Sequence, residues 1–163
     1  MSIRGYSAIG VDGIKDAVNA GSVLRAAGCY GASLVVFGGR RIKRGDMVTD
    51  TGKVWKHKPA VSVDDVMDAI PVGANPVAVD LIGGATPLHE FKHPESAFYI
   101  FGGEDRTLGR RVTDSCFATV YVPTLGCMNL AATVNVVLYD RAVKRGFLAP
   151  ASLGYRGLRE VAA

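Results

Sequence analysis

VYVPTLGCMNLAATVNVVLYD, residues 120–140, changes character halfway along. Its opening residues favour a β-strand. Pro123 breaks the run, Gly126 turns it, and no charge appears between Cys127 and Tyr139. Small or apolar residues at Cys127, Leu130, Ala131, Val134 and Leu138 follow the period of a helix. Met128, Ala132, Val136 and Val137 are apolar as well, so the sequence predicts a helix buried nearly all round. Asn129 and Asn135 interrupt it, and a buried amide needs a partner, either protein or ligand.

Working outward, the chain alternates strand and helix. Strand-like runs fall at 6–11, 33–37, 76–82, 97–101 and 117–122. A first helix is expected to start between residues 14 and 19 and to run to about 30. A short amphipathic helix is expected over 63–70, capped by Ser62 or Asp64, and a helical turn over 108–114. The helix after 127 should end near Arg145 and Gly146, where cations precede a glycine stop. Strand–helix–strand units imply a parallel sheet buried on both faces. The predicted fold is therefore α/β, a single-domain (1–163), open, mostly parallel sheet with helices on both faces. Glycine-rich turns at 83–84 and 102–103 follow strands, which places a ligand at the carboxyl ends of the sheet. The tail, 147–163, has a weak helical pattern and is expected to pack on a neighbour.

A chain of 163 residues with 48% hydrophobic content suits one sizeable core. No apolar run reaches membrane-spanning length, and the N-terminal residues lack a signal-peptide pattern. Cys29, Cys116 and Cys127 have neither metal-ligand nor redox spacing, so the thiols are expected reduced and the protein cytoplasmic. Neither GxGxxG nor a Walker lysine occurs. The formal net charge of +4 favours a polyanionic partner. Much of the positive charge lies in 40–59, with Arg40, Arg41, Lys43, Arg44, Lys53, Lys56 and Lys58 around Trp55 and His57. With little apolar period, this segment reads as mostly loop. One reading is an RNA-contacting arm, with Arg40, Arg41, Lys43, Arg44 and Lys56 on phosphates and an aromatic ring for a base. The other is a solvated connection whose tryptophan is tucked into the core.

Three motifs in order carry a family resemblance: NAGSVLRAAGCYGA (19–32), YIFGGEDRTLG (99–109) and VPTLGCMNLAATVNVVLYD (122–140). Together they resemble the SpoU–TrmH class of SPOUT RNA methyltransferases and cover almost the whole chain. The resemblance implies a C-terminal trefoil knot, S-adenosylmethionine as methyl donor, a ribose 2′-hydroxyl of tRNA or rRNA as acceptor, and no metal. It also implies a homodimer formed through helices such as 19–30 and 127–139, with no membrane association. Carried over by position, Leu81, Gly102, Val122, Cys127 and Leu130 would touch the donor. Asn19, Arg25, Glu104 and Asn129 would form the catalytic set, with Arg25 acting on the ribose and Glu104 holding its loop. Cys127 and Ala131 stand where relatives commonly carry hydroxyls, and Gly103 where they often carry proline. Residue by residue, other readings stay open: a helix cap for Asn19 and a surface cation or salt bridge for Arg25. The apolar neighbours of Arg25 argue against full solvation. For the whole chain the alternatives are a catalytically inactive SPOUT-fold RNA-binding protein and an unknotted flavodoxin-like nucleotide-binding module.

Overall fold

The structure, a computed structural model, describes residues 5–39, 42, 44–103 and 105–146. Seven strands form one sheet in the order β3-β2-β1-β6-β4-β7-β5, and every neighbouring pair is parallel. In chain order they are β1 (Tyr6–Asp12), β2 (Leu34–Gly38), β3 (Ala60–Val63), β4 (Asn75–Val79), β5 (Thr86–Pro87), β6 (Ser96–Gly102) and β7 (Ala118–Tyr121). Parallel strands need crossovers, and the apolar runs IGV, LVVF and AFYIF supply a sheet that can be covered on both sides. Side chains alternate along each strand. Ile9, Val11, Val35, Tyr99, Phe101 and Val120 face one layer, and Ala8, Val36, Ala78, Phe98 and Ile100 the other.

The first layer is α1 (Ala17–Tyr30) packed beside α3 (Leu130–Lys144). The Tyr30 and Tyr139 rings meet edge to face at 6.4 Å between centroids. The opposite face is covered more lightly, by α2 (Arg110–Thr113) and a 3-10 turn at Val66–Ala69, through Val66, Leu108 and Val112.

Several expectations need correction. α3 is not buried all round. Val134, Val137 and Leu138 are buried, but Val136, Tyr139 and Val143 are exposed, and they fall on one face at helical spacing. The amphipathic helix expected over 63–70 is instead the end of edge strand β3 followed by the 3-10 turn, which Asp65 caps by accepting from Met67 N–H at 2.9 Å. The β-branched valines of AVSV decide that stretch for the strand. The cap of α1 is Asp16, which accepts from Val18 N–H at 2.7 Å. Asn19 therefore lies inside the helix and does not cap it. Asn135 spends its amide on the Ala131 carbonyl, 2.8 Å away on its own helix. The tail 147–163 lies outside the described residues.

The amino end of the sheet is tied to the last turns of α3 by a buried polar cluster. The Arg141 guanidinium donates to the carbonyls of Pro94 at 2.7 Å, Glu95 at 2.7 Å and Tyr6 at 3.1 Å, and to the Tyr99 hydroxyl at 3.3 Å. The Tyr99 hydroxyl donates to His93 Nδ1 at 2.6 Å, and His93 Nε2–H donates to the Asp140 carboxylate at 2.8 Å. Lys144 completes the set on Asp140 at 2.7 Å. Burial pushes the Tyr99 hydroxyl up to about 12 and holds the His93 imidazole below its ordinary value. Among the described residues no buried side-chain polar atom lacks a partner, so the cluster is costly to disturb.

Because the folded imidazole resists protonation, the unfolded chain takes up that proton first as pH falls below the ordinary value of 6.5. The His93 contribution is thus complete above that pH and declines on acidification. Denaturant midpoints measured at about pH 7.5 and about pH 5.5 should drop more for the wild type than for His93→Gln. Equal drops would show that His93 is not a source of the acid sensitivity.

Candidate active site

The carboxyl ends of β4, β6 and β7 open into a cavity of about 450 Å³. This is within the roughly 300–1,000 Å³ typical of small-molecule sites. Its walls mix apolar side chains (Val79, Phe101, Val122, Leu130) with close backbone at Gly102, Gly103 and Gly126. Of the five residues expected to touch a donor, Leu81, Gly102, Val122, Cys127 and Leu130, all line this one space. Asn129, from the expected catalytic set, lines it as well.

Three local devices hold the walls. After β4, Asp80 turns its carboxylate back on the chain, accepting from Leu81 N–H at 2.8 Å and from Leu108 N–H at 2.5 Å. It thereby ties the loop after β4 to the loop after β6. After β7, Thr124 Oγ1 donates to the Gly126 carbonyl at 2.7 Å and closes the turn that Pro123 begins. Asn129 then starts α3. Its side-chain oxygen accepts from Ala131 N–H at 2.9 Å, and its side-chain nitrogen donates to Asn19 Oδ1 at 3.1 Å. Thr133 Oγ1 donates to the Asn129 carbonyl at 3.0 Å. One asparagine thus caps the cavity-forming helix and docks it on α1.

The loop after β6 is fastened to the β1–α1 turn by two ion pairs, Lys15 with Asp105 and Arg106 with Asp12, the latter at 3.6 Å. These pairs are largely exposed, so they guide the loop more than they stabilise it. Arg106 also lines the cavity. Sequence reading missed Asp80 and Arg106 as site residues. Arg106 stands within the quoted YIFGGEDRTLG motif, whereas Asp80 looks like an ordinary strand-end acid and gave no signal.

Other expected residues fall elsewhere. Arg25 is exposed, which corrects the expectation from its apolar neighbours: those neighbours face the core while Arg25 points away from it. It lies six residues beyond Asn19, about 9 Å along the helix axis, and is not part of the cavity wall. Glu104, Arg40, Arg41 and Lys43 lie outside the described residues. Arg44 is described in its backbone alone, within the 3-10 turn Arg44–Asp46. Lys56 is exposed, with its ammonium 5.5 Å from the Trp55 ring centroid. Cys127 and Cys29 are exposed thiols rather than core residues. Among the described residues, no cluster of His, Cys, Asp and Glu could hold a metal ion, and no helix is long and apolar enough to cross a membrane.

Comparison with known proteins gives this geometry a context. Residues 7–139 match the model of the SpoU rRNA Methylase family. A protein of Archaeoglobus fulgidus described as an uncharacterized tRNA/rRNA methyltransferase is 31% identical over 139 residues, covering 79% of this chain and 61% of that one. The SpoU methyltransferase AviRb from Streptomyces viridochromogenes, solved with the cofactor AdoMet, superposes with a TM-score of 0.76 at 24% identity, over 87% of this chain and 58% of AviRb. A protein solved for structural insight into the 2-OH methylation of C/U34 on tRNA superposes with a TM-score of 0.75 at 23% identity, over 88% of this chain and 99% of that one. The chain thus spans about three-fifths of the archaeal relative's length.

Gly103 is where the wall has least room. A Cβ there would sit 2.5 Å from the Gly13 carbonyl oxygen and 3.0 Å from that of Asp12, both backbone atoms. Gly103→Ala should therefore push the loop off β1, costing about 1–3 kcal/mol. Chemical denaturation should register that loss, and an unchanged midpoint would mean that the loop yields freely.

Proposed function

Since the chain belongs to the SpoU methylase family, we propose that it transfers a methyl group from S-adenosylmethionine to a ribose 2′-hydroxyl of tRNA or rRNA. The observation that carries this reading is that residues scattered from Leu81 to Leu130, from the loops after three separate strands and the start of α3, line a single cavity beside the Asn19–Asn129 bond. The cavity fits the donor's chemistry. Apolar walls suit an adenine face, and glycine backbone at 102–103 and 126 brings amides and carbonyls close enough to read its edges. We also read the strand-end loops as threaded into a trefoil knot. The placement of β7 between β4 and β5 supports this, because the connection over 80–85 must then bridge β7.

When bound, the donor supplies an electrophilic methyl on a sulfonium: transfer breaks its C–S bond, forms a C–O bond to the ribose and releases the hydroxyl proton. The protein's share is alignment and charge stabilisation. Asn129 and Asn19 orient the wall nearest α1. Arg25 cannot serve as a base, because a guanidinium stays protonated. Its role is to stabilise the developing alkoxide, or the adjoining phosphate, of RNA lying over α1. The cations of 40–58 hold that RNA by its phosphates. In the same reading the protein works in the cytoplasm.

The exposed stripe of Val136, Tyr139 and Val143, with Val18 on the neighbouring helix, supports a homodimer through the α1–α3 layer. Light scattering at micromolar concentration should give twice the chain mass, and a monomer there would remove the dimer from this account.

Arg25→Ala separates the roles. Donor affinity by calorimetry should stay near the wild-type value, because Arg25 is not in the cavity wall. Methyl transfer from labelled donor to RNA should fall by roughly a hundred- to a thousandfold. Arg25→Lys should recover little, since a point charge lacks the planar fork. Loss of donor binding and stability together would instead assign Arg25 a structural salt bridge.

A further inference from the structure

A second cavity, of about 340 Å³, opens beside β3, an edge strand, and shares no lining residue with the first. Phe37, Ile42 and Met47 form its apolar part, Trp55 and Lys58 belong to its wall, and the β3 segment 59–62 closes it. Among the described residues no carboxylate lines it.

The tryptophan is held by a built turn. Asp50 is buried, and its carboxylate accepts from Val54 N–H at 2.9 Å and Trp55 N–H at 3.3 Å. Thr49 Oγ1 donates to the Val18 carbonyl of α1 at 2.5 Å. α1 makes room for this turn: a Cβ on Gly21 would lie 2.4 Å from Thr49 Oγ1 and 3.0 Å from the Asp50 nitrogen. Gly21 is four residues before Arg25 on the same helix, so the turn rests on the face that carries Arg25.

Charge and backbone complete the site. The Lys56 ammonium stands 5.5 Å from the Trp55 ring centroid, Lys58 is in the wall, and Lys53 is exposed nearby. The β2 ladder engages the carbonyls of Pro59 and Val63, through Val35 N–H at 3.0 Å and Gly39 N–H at 2.9 Å. By the alternation of a parallel ladder, the main-chain groups of Ala60 and Ser62 face away from β2. Both residues line the cavity, and main-chain groups of this kind can read a base edge.

We propose that this cavity binds an unpaired nucleobase of RNA, stacked on Trp55 with its phosphates beside Lys56 and Lys58, as a recognition site separate from the methyl-donor cavity. The proposal rests on the RNA-methylating reading above. An aromatic face, an apolar floor and cations without acids are what a stacked nucleotide requires.

Trp55 is the only tryptophan, so its fluorescence reports the site directly. The whole chain would be titrated with a short mixed-sequence single-stranded RNA and with an abasic oligonucleotide of equal length. The RNA should quench Trp55 emission saturably and the abasic strand should not. Trp55→Ala should weaken RNA binding about ten- to a hundredfold. Trp55→Phe should restore most of it, and both variants should bind S-adenosylmethionine as the wild type does, which certifies their fold. Equal quenching by both strands, or undiminished RNA affinity in Trp55→Ala, overturns the base site alone and leaves the enzymatic reading standing. A wild type that binds S-adenosylmethionine but no RNA overturns both.

Discussion

Asn129 makes the bond on which the site depends. Its side-chain oxygen is spent on the first turn of α3, and its side-chain nitrogen reaches Asn19 on α1. Those two commitments fix where the 122–129 segment ends and where the helix behind the cavity begins. An alanine there would leave α3 uncapped and the two helices unjoined at their cavity end. An aspartate could still cap the helix but would set a carboxylate against the Asn19 oxygen. Few side chains other than an amide meet both demands, since both a donor and an acceptor are needed on one short stem.

The two ends of the sheet are built differently, and the difference follows function. At the amino end, Arg141, Tyr99, His93 and Asp140 form a buried polar cluster that pins the last turns of α3 to β1 and β6. At the carboxyl end, the loops are joined by a single hydrogen bond that the Asp80 carboxylate accepts from Leu108 N–H and by largely exposed ion pairs. A rigid frame with a lightly tied rim lets loops accept a ligand without disturbing the core.

Much of this was legible in the sequence. The alternation of apolar strands with helices gave the parallel sheet, because a strand covered on both faces has little choice but to be apolar throughout. The cavity residues could be named only through the family resemblance, which sets them at strand ends. What escaped was set by long-range geometry. Val136, Tyr139 and Val143 look like core residues, yet a helix lying on a sheet buries one side and leaves these outside. Val63 reads equally as the start of a helix until β2 offers the AVSV stretch a partner. Asp80 and Arg141 carry no local pattern, because their partners are 28 and 47 residues away. Trp55 could be read either as core or as an RNA contact, and its place beside a cavity at an edge strand depends on a turn that Asp50 organises.

The central claim is that the cavity at the ends of β4, β6 and β7 holds the methyl donor. A crystal structure of the protein soaked with S-adenosylmethionine tests it most directly. Density for the donor is expected within that cavity, in contact with Leu81, Gly102, Val122, Cys127 and Leu130. A donor bound elsewhere on the chain, for example against Trp55, would contradict it.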